Sequence, residues 1–475
     1  MAHGISKKDR IRHVMLAASM MLGLLASPVS AQSLSQMLYD VYDNNPDIKA
    51  EEAGQRGRRA EVDKARSAML PSLSATGSHT LADERSKSGS TRRTRTSQYG
   101  VSASHRLFNG FQDRNKLKQS RHRYISGQYN VRSRETETLL EAVRAYMDVY
   151  SARQMISLRR RHVDNLQKQR RATRARIRAG ELTRTDLSRT EALLSRARAS
   201  LSGAQADLGA SIGQFEALVG YRPAKLHYPQ MPRRFVAKSA KEAEQKAISM
   251  HPQLRAASAN NRAMDYGVKA AKGALLPSVD VNAGLTRSHT SIGKTTPSSE
   301  KSLSLRLSLP IFDGGARTAD IKKAKADRSE ARYRSSSLAA KIRATARERY
   351  LRYKSSKAVV KQAKAEVKAA RDALRGIKIE EKAGQRSFLD VLDAEVALLD
   401  AREVEIYARA DSAIAIYAYL ASTGQLTVTG ARKYPQYANA DNTPTAAIHS
   451  SGSSKRQKRR SSKSRSSKDP WSGLR

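Results

Sequence analysis

Hydrophobic positions along this chain follow two rhythms, one with helical spacing and one with period two, and the whole succession occurs twice. Leu34, Met37, Leu38 and Val41 recur at three- and four-residue steps, which predicts a short amphipathic helix over 34–45. Pro46 opens a second helix, expected to stop near Met69 because Leu70 precedes a proline and so disfavours helical geometry. The period then changes to two. Leu73, Ala75, Gly77, His79 and Leu81 alternate with polar residues, as do Tyr99, Val101, Ala103, His105 and Leu107. The second copy is cleaner, with Val279, Val281, Ala283 and Leu285 answered by Leu303, Leu305, Leu307 and Leu309. Two β-hairpins are predicted, over about 73–107 and 279–309, with polar loops at 84–97 and 289–301. Proline-free helical stretches follow each hairpin, over 113–177 and 317–381. At about 1.5 Å per residue each makes a rod of roughly 100 Å. Return helices are expected over 186–219 and 389–423. Narrow apolar stripes on such helices require coiled-coil packing against neighbours.

Shifting the sequence by 204 positions superimposes Phe108 on Phe312, Gly110 on Gly314, Tyr146 on Tyr350, Gly180 on Gly384, Asp186 on Asp390 and Gly220 on Gly424. Upstream the offset is 206, pairing Pro46 with Pro252 and the Leu-Pro-Ser at 70–72 with that at 276–278. A loop between Ser78 and Tyr99 must therefore differ in length from its counterpart. Two copies of one large unit result, over 32–220 and 241–426, joined by a connector over 221–240. Each copy contains one tip, near 178–186 and 382–390, where a glycine stands six positions before an aspartate. Glycine suits the left-handed residue that ends a helix, and Thr185 or Ser387 suits the cap of the next. Taken alone, each tip reads first as a plain reversal of the chain, and its occurrence twice inside a longer repeat argues for more.

Each strand has the length needed to cross a bilayer when tilted. An ordinary half-buried soluble sheet has the same alternation. Four strands are too few to close a barrel, however, and an open sheet cannot sit in lipid. The choice is a soluble sheet or an oligomer sharing one barrel, and a trimer would supply twelve strands.

Composition narrows the choice further. The chain has 475 residues, no Cys, one Trp and a formal net charge of +44. Disulfides and thiolate metal sites are excluded. Such a charge often marks a nucleic-acid binder, yet outside the C-terminal tail the Lys and Arg are spread along helical segments, so no specific nucleic-acid partner is expected. Lys7, Lys8, Arg10 and Arg12 precede an apolar run over 14–26 and the small-residue site Val29-Ser30-Ala31, which reads as a signal peptide over 1–31. No other run approaches about 18 apolar residues, so any later membrane crossing must use strands. The tail over 427–475, basic from Lys455 to Lys468, has the composition of a disordered segment. It could hold peptidoglycan, anionic lipid or nucleic acid, the first two being favoured. Ser211 stands in a Gly-x-Ser-x-Gly pattern, but within a helix of small residues rather than on a strand-to-helix elbow. The ten His show no metal-ligand spacing. No catalytic residue, metal site or cofactor is expected.

The duplicated halves, paired hairpins, long helices and Gly-x5-Asp tips resemble the TolC family of outer-membrane efflux and type I secretion channel proteins. The resemblance covers roughly 34–426, and its most specific piece is 383–394, Ala-Gly-Gln-Arg-Ser-Phe-Leu-Asp-Val-Leu-Asp-Ala. It implies an α+β membrane protein: a homotrimer with a twelve-stranded outer-membrane β-barrel, four strands per protomer, continuous with a long periplasmic α-helical coiled-coil barrel. The implied role is the exit duct of a tripartite efflux or type I secretion system. A periplasmic adaptor would dock at Gly180, Glu181, Leu182, Gly384, Gln385 and Ser387, with an inner-membrane pump behind it and lipid around the barrel.

By the same resemblance, Asp390 and Asp393 match an acidic ring at the periplasmic constriction, and Arg386 matches a residue that holds the closed tip by bonding Thr185 and Asp186 of a neighbouring protomer. Two aspartates three apart share a helix face, and threefold symmetry would gather six carboxylates, which selects cations and raises carboxylate pKa values. Glu381 departs from the family, whose best-known members have tyrosine there. It would repel Asp186 unless Arg178 or Lys382 lies between. The rival reading is an exported coiled-coil structural or nucleic-acid-binding protein with no pore. Such a protein would need neither alternating strands nor paired tips.

Overall fold

The computed structural model describes residues 33–85, 91–292, 294–428 and 446–448. The expected signal peptide and the Lys455–Lys468 stretch lie outside the described residues. Helices α1 (Leu34–Asn44) and α2 (Pro46–Ser67) are joined at Asn45, which ends the first and caps the second by accepting the Asp47 N–H. Strands β1 (Ser72–Arg85) and β2 (Thr91–Asn109) lead into α3 (Gln112–Arg178) and α4 (Arg184–Val219). The second repeat has α5 (Ala240–Met250), α6 (Pro252–Gly273), β3 (Ser278–Ile292), β4 (Lys294–Ser308), α7 (Ala316–Lys382) and α8 (Phe388–Ser422). Here His251 occupies the position of Asn45 and accepts the Gln253 N–H. Both long helices have 67 residues, about 100 Å at 1.5 Å each.

The four long strands form one antiparallel sheet in the order β1-β2-β3-β4. Much of 84–97 and 289–301, expected as loops, is strand: Arg85 lies opposite Thr91 and Ile292 opposite Lys294. The Ser, Thr and Arg residues there lack apolar alternation, but the backbone ladder does not require it. Ser72 pairs with Ser104 and Ser278 with Ser308, so the first hairpin is two residues longer, as the change of offset demands. Neither sheet face is covered. Leu73 and Leu303 are 77% and 78% exposed, and the polar residues beside them are exposed too. A soluble half-buried sheet would hide one face, so that alternative does not describe this sheet. The outer edges of β1 and β4 have no partner strand among the described residues.

The largest core lies midway along the rods. Met37 and Leu38 of α1, Tyr146 of α3, Phe215 of α4, and Ile416 and Tyr419 of α8 are each fully buried there. Tyr146 donates to the His227 carbonyl at 2.7 Å and accepts the His227 N–H at 3.0 Å, which fastens the connector to α3. Strand β5 (Leu426–Val428) pairs in parallel with β6 (Ala446–Ile448). Leu426 and Val428 are buried in this core. The folded unit therefore extends past 426, into what composition presents as a disordered tail. Ser211 lies within α4 and donates to the Asp207 carbonyl of the same helix.

Candidate functional site: the paired helical tips

Each long helix ends in the same backbone motif. Gly180 (φ 81°) donates to the Ile177 carbonyl, and Glu181 donates to the Arg176 carbonyl at 2.9 Å. At the second tip Gly384 (φ 75°) donates to the Glu381 carbonyl, and Gln385 donates to the Glu380 carbonyl at 2.8 Å. These crossed bonds satisfy carbonyls that a helix end leaves orphaned, and they need a left-handed residue where glycine carries no Cβ penalty.

The next helix starts with a capping box in both copies. The Ser387 hydroxyl accepts the Asp390 N–H, while one Asp390 oxygen accepts the Ser387 N–H at 2.9 Å and its hydroxyl at 2.9 Å. In the first copy this role belongs to Thr183, which bonds Asp186 in the same reciprocal way. Thr185, one of the two expected caps, instead lies exposed in the first turn of α4. The register is set by the aspartate, since the box requires it three residues after the cap. Bonds from Thr183 hold the Asp186 carboxyl below the usual carboxylate range, and those from Ser387 do the same for Asp390. Within one chain, then, Asp390 is held down by its own cap rather than raised by crowding.

Asp393 is exposed one turn further along α8, 3.9 Å from the guanidinium of Arg189 on α4. Arg386 pairs with Glu380 of its own tip at 3.1 Å. Gly180, Glu181, Gly384, Gln385 and Ser387 are exposed, and Leu182 is half-buried. Beneath them Val163, Leu166, Leu194 and Leu392 form a small core flanked by Phe388, which fixes the two hairpins against each other.

The cation beside Glu381 is neither Arg178 nor Lys382. Arg176 donates to Glu381 at 2.6 Å and to Glu181 at 2.9 Å, and its charge also helps to lower Asp186. Lys378 and Gln169 similarly converge on Glu395, at 2.7 and 2.6 Å. Sequence reading missed Arg176, Gln169, Lys378 and Glu395. The available signal was their position within about three turns of the reversing glycines, but an arginine-rich stretch gives no reason to choose one arginine.

The outer membrane efflux protein model matches this chain over 37–220 and 244–425, one segment per repeat. The chain belongs to that family. It is 31% identical over 415 residues to the outer membrane efflux protein BepC of Brucella suis biovar 1 (strain 1330), covering 87% of this chain and 89% of that one. Its fold is that of a membrane protein from Pseudomonas aeruginosa (TM-score 0.74, 18% identity, 82% of this chain and 93% of the other). It also matches the Campylobacter jejuni CmeC outer membrane channel (TM-score 0.71, 16% identity, 83% and 86%). This outer membrane efflux protein is a channel component rather than an enzyme, located in the cell outer membrane and extending into the periplasm. Among its described residues no helix is long and apolar enough to cross a membrane.

Proposed function

We propose that three copies of this chain close a twelve-stranded barrel and serve as the exit duct of a tripartite efflux or type I secretion system. The observation that carries this reading is the uncovered four-stranded sheet with two open edges, continuous with rods of about 100 Å. In hydrocarbon each unpaired edge group costs several kcal/mol, and closure of the ring removes every edge. Three chains supply the twelve strands.

Small molecules or unfolded proteins would enter from an inner-membrane pump through a periplasmic adaptor seated on the exposed tips, at Gly180, Glu181, Leu182, Gly384, Gln385 and Ser387. Asp390 and Asp393 form the narrowest ring in this reading. Arg386 would exchange Glu380 for Asp186 and Thr185 of the adjacent protomer when the tip closes. The test is to purify the protein from outer membranes, assay it for an SDS-resistant trimer, and record it in planar bilayers. Trimers with discrete cation-preferring conductance are expected. A monomer extracted by carbonate, with no conductance, would refute the reading and favour a poreless coiled-coil protein.

A further inference from the structure

The sheet meets the helices at an exposed apolar rim. Met69, Leu70, Leu275, Leu276, Ile311 and Phe312 lie between strand ends and helix ends, and their exposures run from 41% to 92%. Leu107 of β2 and Leu309, one residue past β4, continue that surface. With the sheet in the outer membrane, this rim marks the periplasmic limit of the hydrocarbon, since an apolar patch of this size at the end of a membrane sheet belongs where lipid begins.

Directly below the rim the sign of the chain becomes one-sided. Over 56–67, 112–123, 262–273 and 316–327, the helix segments next to the sheet, Lys and Arg outnumber Asp and Glu by seventeen to six. One cluster there is organised. Tyr266 of α6 stacks on His122 of α3, with centroids 5.3 Å apart and planes 9° apart. Lys118 and Lys269 lie 5.4 and 4.9 Å from the centre of the same ring. Lys269 and Lys272 are exposed. Burial, and then the charge of Arg262, hold the His122 imidazole below its ordinary pKa, while Asp265, the one carboxylate of α6, is paired with Arg332 of α7 at 3.0 Å. Lys118 is six residues into α3 and Lys269 four residues from the end of α6. At about 1.5 Å per residue both lie within about 10 Å of the rim, at headgroup depth.

We propose that these helix ends bind the headgroups of anionic phospholipids in the periplasm-facing leaflet, with Lys118, Lys269 and Lys272 holding the phosphates around the Tyr266 platform. A ring flanked by ammonium groups is the arrangement found at membrane interfaces, where the ring sits among headgroups and lysines reach phosphate. Each lysine held near an anionic surface favours it by about fivefold. The inference rests on the outer-membrane location and not on gating or cargo.

The test uses the purified full-length protein in vesicles of phosphatidylcholine carrying a trace of spin-labelled phosphatidylglycerol or spin-labelled phosphatidylcholine. Several-fold enrichment of phosphatidylglycerol in the protein-bound fraction is expected, falling with added NaCl. The K118Q/K269Q/K272Q variant should lose about fivefold of that enrichment or more, while its oligomeric state and conductance stay those of the wild type. Equal binding of the two lipids by the wild type would overturn the proposal, as would undiminished enrichment in the variant. Should the variant fail to assemble, the wild-type comparison and its salt titration decide the matter alone. Loss of conductance with lipid preference intact would count against the channel reading and leave this one standing.

Discussion

Arg176, one turn before the first tip, donates to Glu381, one turn before the second, at 2.6 Å. A single guanidinium thereby ties the two repeats of one chain at the end farthest from the sheet, and it holds Glu181 as well. The Glu381 side chain is only 14% exposed, so its charge depends on this partner more than a surface carboxylate would. Hydrogen bonds to Glu381 and then Glu181 raise the already high pKa of Arg176, which is charged at any working pH.

Arg176→Gln should therefore leave Glu381 and Glu181 without their shared cation and loosen the tip. The pair is worth about 1 kcal/mol or somewhat more. A double-mutant cycle with Glu381→Gln, read as closed-channel conductance in planar bilayers, should show coupling of that size. Strictly additive effects would mean that the contact does not constrain the tip.

Arg386→Ser should raise single-channel conductance without loss of trimers, because it removes the cross-protomer partner proposed for Asp186 and Thr185. Three such contacts bias a two-state gate by a few kcal/mol at most, and each 1.4 kcal/mol is tenfold in population. Unchanged conductance with trimers confirmed would place the gate elsewhere.

The double variant Asp390→Ala, Asp393→Ala should lower cation preference and abolish block by polyvalent cations. Asp390 also closes the capping box of α8, so the variant should lose about 1 kcal/mol of helix stability as well. Asp390→Asn with Asp393→Asn preserves more of the cap and should reproduce the loss of selectivity. Retained selectivity in both variants would show that the ring does not line the pore.

His251 caps α6 in a partly buried setting, and this desolvation lowers its pKa to about 4. The unfolded chain titrates near 6.5, so it binds the extra proton first as pH falls. Stability contributed by neutral His251 is full above pH 6.5 and is lost as pH falls from there towards 4, by roughly 3 kcal/mol at 1.36 kcal/mol per unit. Asn45 does the same capping job in the first repeat. His251→Asn should thus keep the cap and flatten the melting temperature over that range. Glu135 works in the opposite direction, since burial and then Glu52 oppose its ionisation and raise it to about 7, with Arg132 pulling the other way. Its contribution declines as pH rises from 4.5 to 7, and Glu135→Gln should remove that decline. An unaltered pH profile in either variant would refute its assignment.

Gly110→Ala should prevent assembly or lower the melting temperature sharply. Gly110 has φ 65°, and a Cβ there would lie 2.1 Å from the Gly273 carbonyl oxygen. The left-handed backbone alone costs an alanine about 1–2 kcal/mol, and the neighbouring backbone cannot yield without parting α3 from α6. A fully stable Gly110→Ala protein would show that this crossing is not held closely.

The sequence by itself determined the repeat, the succession of helices and strands, the two tips and the family, because these depend on local periodicity, glycine and proline positions, and spacing along one chain. It also placed the cap Ser387 correctly at the second tip, three residues before Asp390. At the first tip Thr183 and Thr185 compete, and hydrogen-bond geometry made the choice. The tertiary structure alone decided how far the strands run, since backbone pairing carries β1 to β4 through polar residues with no alternation. It decided that neither sheet face is covered and that Leu426 and Val428 belong to the core. It also chose Arg176 among the many arginines of its stretch. Contacts between residues some 205 positions apart depend on how two rods lie side by side, and no local pattern encodes that.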